Sequence, residues 1–242
     1  MSPSENPNQP PPLPRESYFQ FEPMPPSYGP LQVLETLLKH PGRIIHELHG
    51  ARRERLALWL LGFALGGMAI YGVVVGSLTG GSQLWIAPAK LALGTLFSVL
   101  ICLPSLYIFS CLGGSEARLE SIAGALVAAI CLSALLLLGF APVAWIFSQS
   151  TDSIAFLGGL HLLFWLIGLF FGLRLMGAMS RFRGEAGRGH LRTWRLIFIL
   201  VCLQMTTTLR PIIGRSDHFL PQEKKFFLTH WVESLGGKAN GK

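Results

Sequence analysis

Charge is scarce in this chain. Asp, Glu, Lys and Arg together make up 14% of its 242 residues, while half are apolar. A water-soluble domain carries roughly a quarter of its residues charged. The shortage is concentrated between residues 56 and 213, and both ends of the chain are polar. A middle that is apolar throughout needs hydrocarbon as its solvent, where a spanning backbone must satisfy its own hydrogen bonds. Acidic side chains are missing from the interiors of the apolar stretches. That absence argues against a carboxylate proton relay, because many ion-coupled transporters keep such a group at membrane depth.

Motifs for chemistry are also lacking. The four cysteines, Cys102, Cys111, Cys131 and Cys202, form no CxxC pair and read as small buried apolar residues. There is no P-loop and no GxGxxG, and Gly113-Gly114-Ser115 follows no strand that would make it a nucleophile elbow. His46-Glu47-x-His49 falls short of HExxH, and two imidazoles do not fill a metal site. The first 30 residues lack a charged n-region and an apolar h-region, so insertion is expected through the first internal span. No lipidation signal stands at either end. The sequence therefore predicts a non-enzyme with no catalytic, cofactor-binding or metal-ligating residue. Net charge is +7, but the basic residues flank apolar spans, where they set orientation and meet anionic lipid rather than nucleic acid.

What is present is an all-α, polytopic helical pattern. Residues 1–30 are rich in Pro, Ser, Asn and Glu and read as a disordered tail with polyproline character around residues 10–14. Residues 31–55 form a basic amphipathic segment broken at His40-Pro41. Leu31, Leu34, Leu37 and Leu38 share one face of it, which is expected to lie in the membrane interface. The bundle of residues 56–213 contains about five spans, near 56–78, 86–112, 119–147, 154–176 and 191–213. The first four are long enough against the ~20 residues that cross ~30 Å of hydrocarbon. Lys90 in the second can snorkel, and Pro104 should kink that helix. The fifth is the shortest. About 14 uncharged positions lie between Arg195 and Arg210, only about 21 Å at helical rise. Residues 214–242 form a polar tail with a short amphipathic helix in residues 222–235.

Orientation follows from Lys and Arg in the short loops. Lys39, Arg43, Arg52, Arg53 and Arg55 precede the first span, and Arg181, Arg183, Arg188, Arg192 and Arg195 lie between the fourth and fifth. The loops near residues 79–83 and 148–152 carry none. The N-terminus is therefore expected in the cytoplasm. Arg210, Arg215, Lys224 and Lys225 in the tail run against a fifth crossing.

Several residues stand out inside the spans. Gly62 and Gly66, Gly72 and Gly76, and Gly168 and Gly172 each make a small-xxx-small pair, which serves close packing within the chain or an oligomer face. His161 lies about two turns inside the fourth span, as a functional polar group or as a neutral imidazole bonded to a neighbouring helix. Gln204, Thr206, Thr207 and Thr208, closed by Arg210, make the fifth span polar. They fit a partner interface, threonines bonded back to their own helix, or an aqueous path.

The proline-broken segment 31–48 leading into five spans is similar in layout to bacterial Yip1-like membrane proteins. The strings Leu103-Pro104-Ser105-Leu106-Tyr107-Ile108-Phe109 and Leu209-Arg210-Pro211-Ile212-Ile213-Gly214 also resemble sequences of uncharacterised bacterial multi-span proteins of that kind. The resemblance implies a non-enzymatic protein of the bacterial inner membrane and no catalytic residue. The expected function is a scaffold or subunit of a membrane complex, with the lipid bilayer and other membrane proteins or itself as partners. The N-terminal region and residues 181–195 would be its contact surfaces. The alternative is a permease or channel component using a polar path near His161, Pro104 and Gln204.

Overall fold

The computed structural model describes residues 21–25, 27–50, 52–77, 81, 83–114, 118–151, 154–182 and 188–208. Among them are seven α-helices and no strand: α1 (Pro30–Lys39), α2 (Pro41–Glu47), α3 (Arg53–Ser77), α4 (Gln83–Leu112), α5 (Leu119–Ser150), α6 (Ile154–Phe182) and α7 (Arg188–Thr208).

Local chemistry sets several boundaries. His40 leaves the helical region (φ −134°) because a residue before proline is crowded out of it, and Pro41 then opens α2, where its missing N–H costs nothing. Arg118 enters α5 in extended conformation, and Glu120 in the first turn meets the positive end of the helix dipole. Helix α4 runs unbroken through both Pro88 and Pro104. Pro88 is accommodated by its neighbour: a side chain on Gly72 of α3 would begin 2.5 Å from the Pro88 Cα.

Among the described residues, four stretches are long and apolar enough to cross a membrane: Arg53–Ser77, Leu84–Leu112, Leu119–Ser150 and Phe156–Met179. Even the shortest, at 24 residues, is about 36 Å long at 1.5 Å per residue. Helix α7 is not one of the four. It covers the expected fifth span only to Thr208; residues 209–213 lie outside the described residues, as does the tail 214–242.

Contacts between helices fix their directions. Gly67 of α3 faces Ala134 of α5, each about midway along its helix from the same end. Gly72 near the end of α3 meets Pro88 near the start of α4, and Gly168 and Gly172 of α6 meet Ser133 and Ala129 of α5. Successive long helices therefore alternate in direction. The end holding the start of α3 is the basal end, and the other is the far end. Helix α5 is central: 72% of its most apolar stretch is buried, against 28% for α4. Leu58, Ile70, Phe97, Ile101 and Phe170 stand exposed around the bundle. An apolar belt of this kind suits lipid and would drive aggregation in water. Trp85 and Trp145 lie exposed toward its far end, as an aromatic belt requires.

At the basal end the structure changes two expectations. Residues 21–25 and 27–29 belong to the stretch read as a disordered tail, yet Met24 is buried in the core and Tyr28 packs edge-on against Trp59. Glu22 pairs with Arg43 at 2.7 Å. Aromatic and apolar residues in the last third of the tail supply what its proline-rich start lacks. Residues 1–20, including the polyproline stretch, lie outside the described residues. The amphipathic segment, in turn, is docked on the bundle rather than only lying in the interface. Val33, Leu37, Ile44, Ile45 and Leu48 are buried in the common core, and Leu48 touches Gly124 of α5. Leu31 and Leu38 remain exposed on another face of α1, so the expected single apolar face is divided between protein and surroundings.

Polar bonds lock this basal cap. Arg52 pairs with Glu47 at 3.1 Å, Arg53 with Glu120, and the Tyr28 hydroxyl reaches Glu47. Burial, then the Glu47 charge, push the Tyr28 phenol above its ordinary pKa. The docked segment is thus held best while Tyr28 is protonated, and loses that contribution as pH rises through the raised value. On the outer face of α1, Lys39 holds the Glu35 carboxyl below the usual carboxylate range.

Candidate functional site

His161 is buried, and its Nδ1 lies 2.7 Å from the Tyr71 hydroxyl. Their rings meet edge to face, 5.6 Å between centroids. Tyr71 is six residues from the end of α3 and His161 seven from the start of α6, so antiparallel helices bring them to one depth in the far half of the bundle. Either partner can donate: a phenol proton to Nδ1, or an Nδ1–H to the phenol oxygen. His161 Nε2 is buried with no described hydrogen-bond partner. Lys90 of α4 is 0% exposed, two residues beyond the Pro88 that packs on Gly72, and so lies near the same depth. The snorkelling expected of Lys90 therefore does not bring it to the surface.

Several other polar groups of the bundle close over short distances. Ser98 donates to Gly94 O and Thr95 to Leu91 O, each at 2.8 Å. Ser133 shares its one proton between Ala129 O of its own helix and Gly168 O of α6, at 3.0 and 2.9 Å. Ser105, one residue after Pro104, donates to Cys102 O and accepts the indole N–H of Trp194 at 3.0 Å. That bond joins the basal parts of α4 and α7. Trp194 and Phe198 stack and are wholly buried, and Cys202 is buried near Ser98.

Gln204 lies on the same helix, which packs chiefly on α4, whereas His161 is bonded across to α3. No described bond joins the two. Thr207 falls in α7 with its side chain outside the described residues, and Arg210 lies beyond them. The six glycines also divide. A side chain on Gly72 would strike Pro88, on Gly168 would begin 3.0 Å from Ser133 O, and on Gly172 would overlap Ala129 O and the Ser133 hydroxyl. Gly76 is buried. Gly62 and Gly66 are exposed and meet nothing within 4 Å among the described residues, so packing among those residues does not use them. The packed face of α3 runs instead through Gly67, Tyr71 and Gly72. Cys111 is exposed, unlike the other three cysteines, because it stands at the end of α4. At the basal cap Glu47 is engaged by Arg52 and Tyr28, and His49 Nδ1 lies 2.8 Å from Ile45 O. Among the described residues no group of three or more metal-ligating side chains forms.

The reading of the residues missed Tyr71 as the partner of His161 and missed the Trp194–Ser105 bond. The first had a signal in matched depth from opposite helix ends. The second had none, since nothing in sequence pairs the last helix with the second span. No family model matches this chain, and no curated protein and no solved structure matches it.

Proposed function

We propose that this is a five-span, non-enzymatic protein of the bacterial inner membrane, of Yip1-like kind, that serves as a scaffold or subunit of a membrane complex. Its N-terminus and basal end face the cytoplasm. The observation that carries the scaffold reading is the docked basal cap. The described residues of this cap, 21–25 and 27–48, are fixed onto α3 and α5 through a buried apolar face and the Glu47–Arg52 pair, while Arg53 ties α3 to α5 through Glu120, giving the membrane bundle a preformed surface on one side. Within the bundle, the hydroxyls of Thr95, Ser98 and Ser105 bond to backbone about one turn away, and that of Ser133 also to one neighbouring helix, which favours a packed body over a conduit.

The fifth crossing is supported by the course of α7. Trp194 lies against Ser105 and Cys202 against Ser98, so α7 climbs antiparallel to α4 and reaches the middle of that helix with six residues still to run. A helix lying on the surface would not follow a spanning neighbour to mid-depth. Orientation is supported by Lys39, Arg43, Arg52, Arg53 and Arg55, all at the end from which α3 departs.

Crosslinking with mass spectrometry in native membranes tests the role. We expect links from Lys39 and other basal residues to a distinct membrane protein or to a second copy. A chain that yields only internal links overturns the scaffold reading. The fifth crossing is tested separately with C-terminal reporters. An alkaline phosphatase fusion should be active and a fluorescent fusion dark; the reverse removes that crossing.

A permease reading draws on one observation, the buried His161 Nε2 with Lys90 near its depth. Leu substitution at His161 and Gln204 discriminates. Complex assembly that survives while transport of a solute is lost favours the permease, and loss of assembly alone removes it.

A further inference from the structure

Helix α6 has two unlike flanks. Against α5 it is closely packed, but it touches α7 only lightly, and a cavity of about 640 Å³ opens between them. Its walls include Leu169 and Phe170 from α6 and Leu196 from α7. Phe170 and Leu196 are 64% and 66% exposed, so the groove opens to the surroundings of the bundle. Arg174, Arg192 and Arg195 line its basal end, and no acidic residue is among its described lining. Arg195 is seated by a glycine: its guanidinium stands 3.8 Å from where a side chain on Gly177 would begin.

The dimensions are those of one leaflet. From Leu166 to Gly177 the lining follows α6 over 12 residues, about 17 Å at helical rise and close to half of a ~30 Å hydrocarbon core. Water would leave the apolar walls wet, and a purely apolar partner helix would give the arginines nothing to meet. An amphiphile with an anionic head and a tail one leaflet long satisfies both ends, since guanidinium binds phosphate oxygens in pairs.

We propose that the groove between α6 and α7 binds an acidic phospholipid of the basal leaflet, with its phosphate at Arg174, Arg192 and Arg195 and its acyl chain along Phe170 and Leu196. The proposal rests on the membrane reading above but not on the scaffold role.

The test uses the full chain purified in detergent and stripped of lipid. It is mixed with equal amounts of phosphatidylglycerol and phosphatidylcholine of identical acyl chains, and bound lipid is counted by native mass spectrometry. The expected result is a preference for phosphatidylglycerol of roughly tenfold, equivalent to about 1.4 kcal/mol. It should fall at least fivefold in Arg174→Gln/Arg192→Gln, be kept in part in Arg174→Lys/Arg192→Lys, which retains the charge but not the paired donors, and persist in Arg43→Gln, a basal arginine outside the groove. Both groove arginines are exposed, and the single Arg192→Gln, expected to lose part of the preference, serves if the double variant does not fold. Equal binding of the two lipids overturns the proposal. So does a preference that survives the glutamine variants, one that Arg43→Gln abolishes equally, or a protein segment found in the groove instead. A failed crosslinking search would remove the scaffold and leave this lipid preference standing. A chain that stays monodisperse without detergent would remove both.

Discussion

The two flanks of α6 have been built by opposite choices of residue. On the α5 side, Gly168 and Gly172 let the backbones approach until Ser133 bonds a carbonyl of the other helix. On the α7 side, Phe170, Leu196 and three arginines hold the helices apart around a groove. Association in lipid lacks the hydrophobic drive that works in water, so close packing and interhelical hydrogen bonds must hold a seam shut. The α5–α6 seam has both. The α6–α7 pair leaves space that something from the bilayer must fill, and α7 takes its anchorage from α4 through Trp194 and Ser105.

The comparison breaks most sharply at Gly172. In Gly172→Leu the new side chain overlaps Ala129 O and the Ser133 hydroxyl, main-chain and short groups that cannot swing away. Overpacking of this kind costs about 3 kcal/mol. Denaturant titration in micelles should read that loss, and a change under about 1 kcal/mol would mean the seam is not as close as described. Next in size is the bond between α3 and α6 at greater height. Tyr71→Phe removes one interhelical hydrogen bond, worth about 1 kcal/mol in a bilayer, and should leave the lipid preference of the α6–α7 groove unchanged. A variant that alters that preference would couple the two flanks through α6.

The sequence made one side of this contrast readable. Runs of apolar residues bounded by Lys, Arg and turn-forming residues located the four long helices, and His40-Pro41 marked the break between α1 and α2. The glycine pairs flagged close approach but not its partner or face. A GxxxG string has the same spacing whether it points into a bundle or out of it, so only the structure separates Gly168 and Gly172 from Gly62 and Gly66. His161 was legible as a group that burial makes notable, while Tyr71 was hidden because a lone phenol near a span end reads as an interfacial anchor. The docking of residues 21–48 was half legible. Periodicity gave α1 an apolar face and could not tell that Leu37 would meet protein while Leu31 and Leu38 stayed exposed. The groove was invisible, because Arg192 and Arg195 counted only as signals of orientation and nothing in the sequence set Arg174 beside them.

The smallest expected effect isolates the glycines from their context. Gly62 has open space where a side chain would grow, and it sits within α3, where glycine is about 1 kcal/mol poorer than alanine as a helix former in water. Gly62→Ala should therefore leave stability unchanged or raise it by under about 1 kcal/mol, against the large loss from Gly172→Leu. The sign carries the information. If the monomer gains stability while self-association in micelles weakens, Gly62 and Gly66 form a face for a second copy. If stability rises and association does not change, the outward glycines have no packing role, and α3 meets its neighbours only through the Gly67, Tyr71 and Gly72 face.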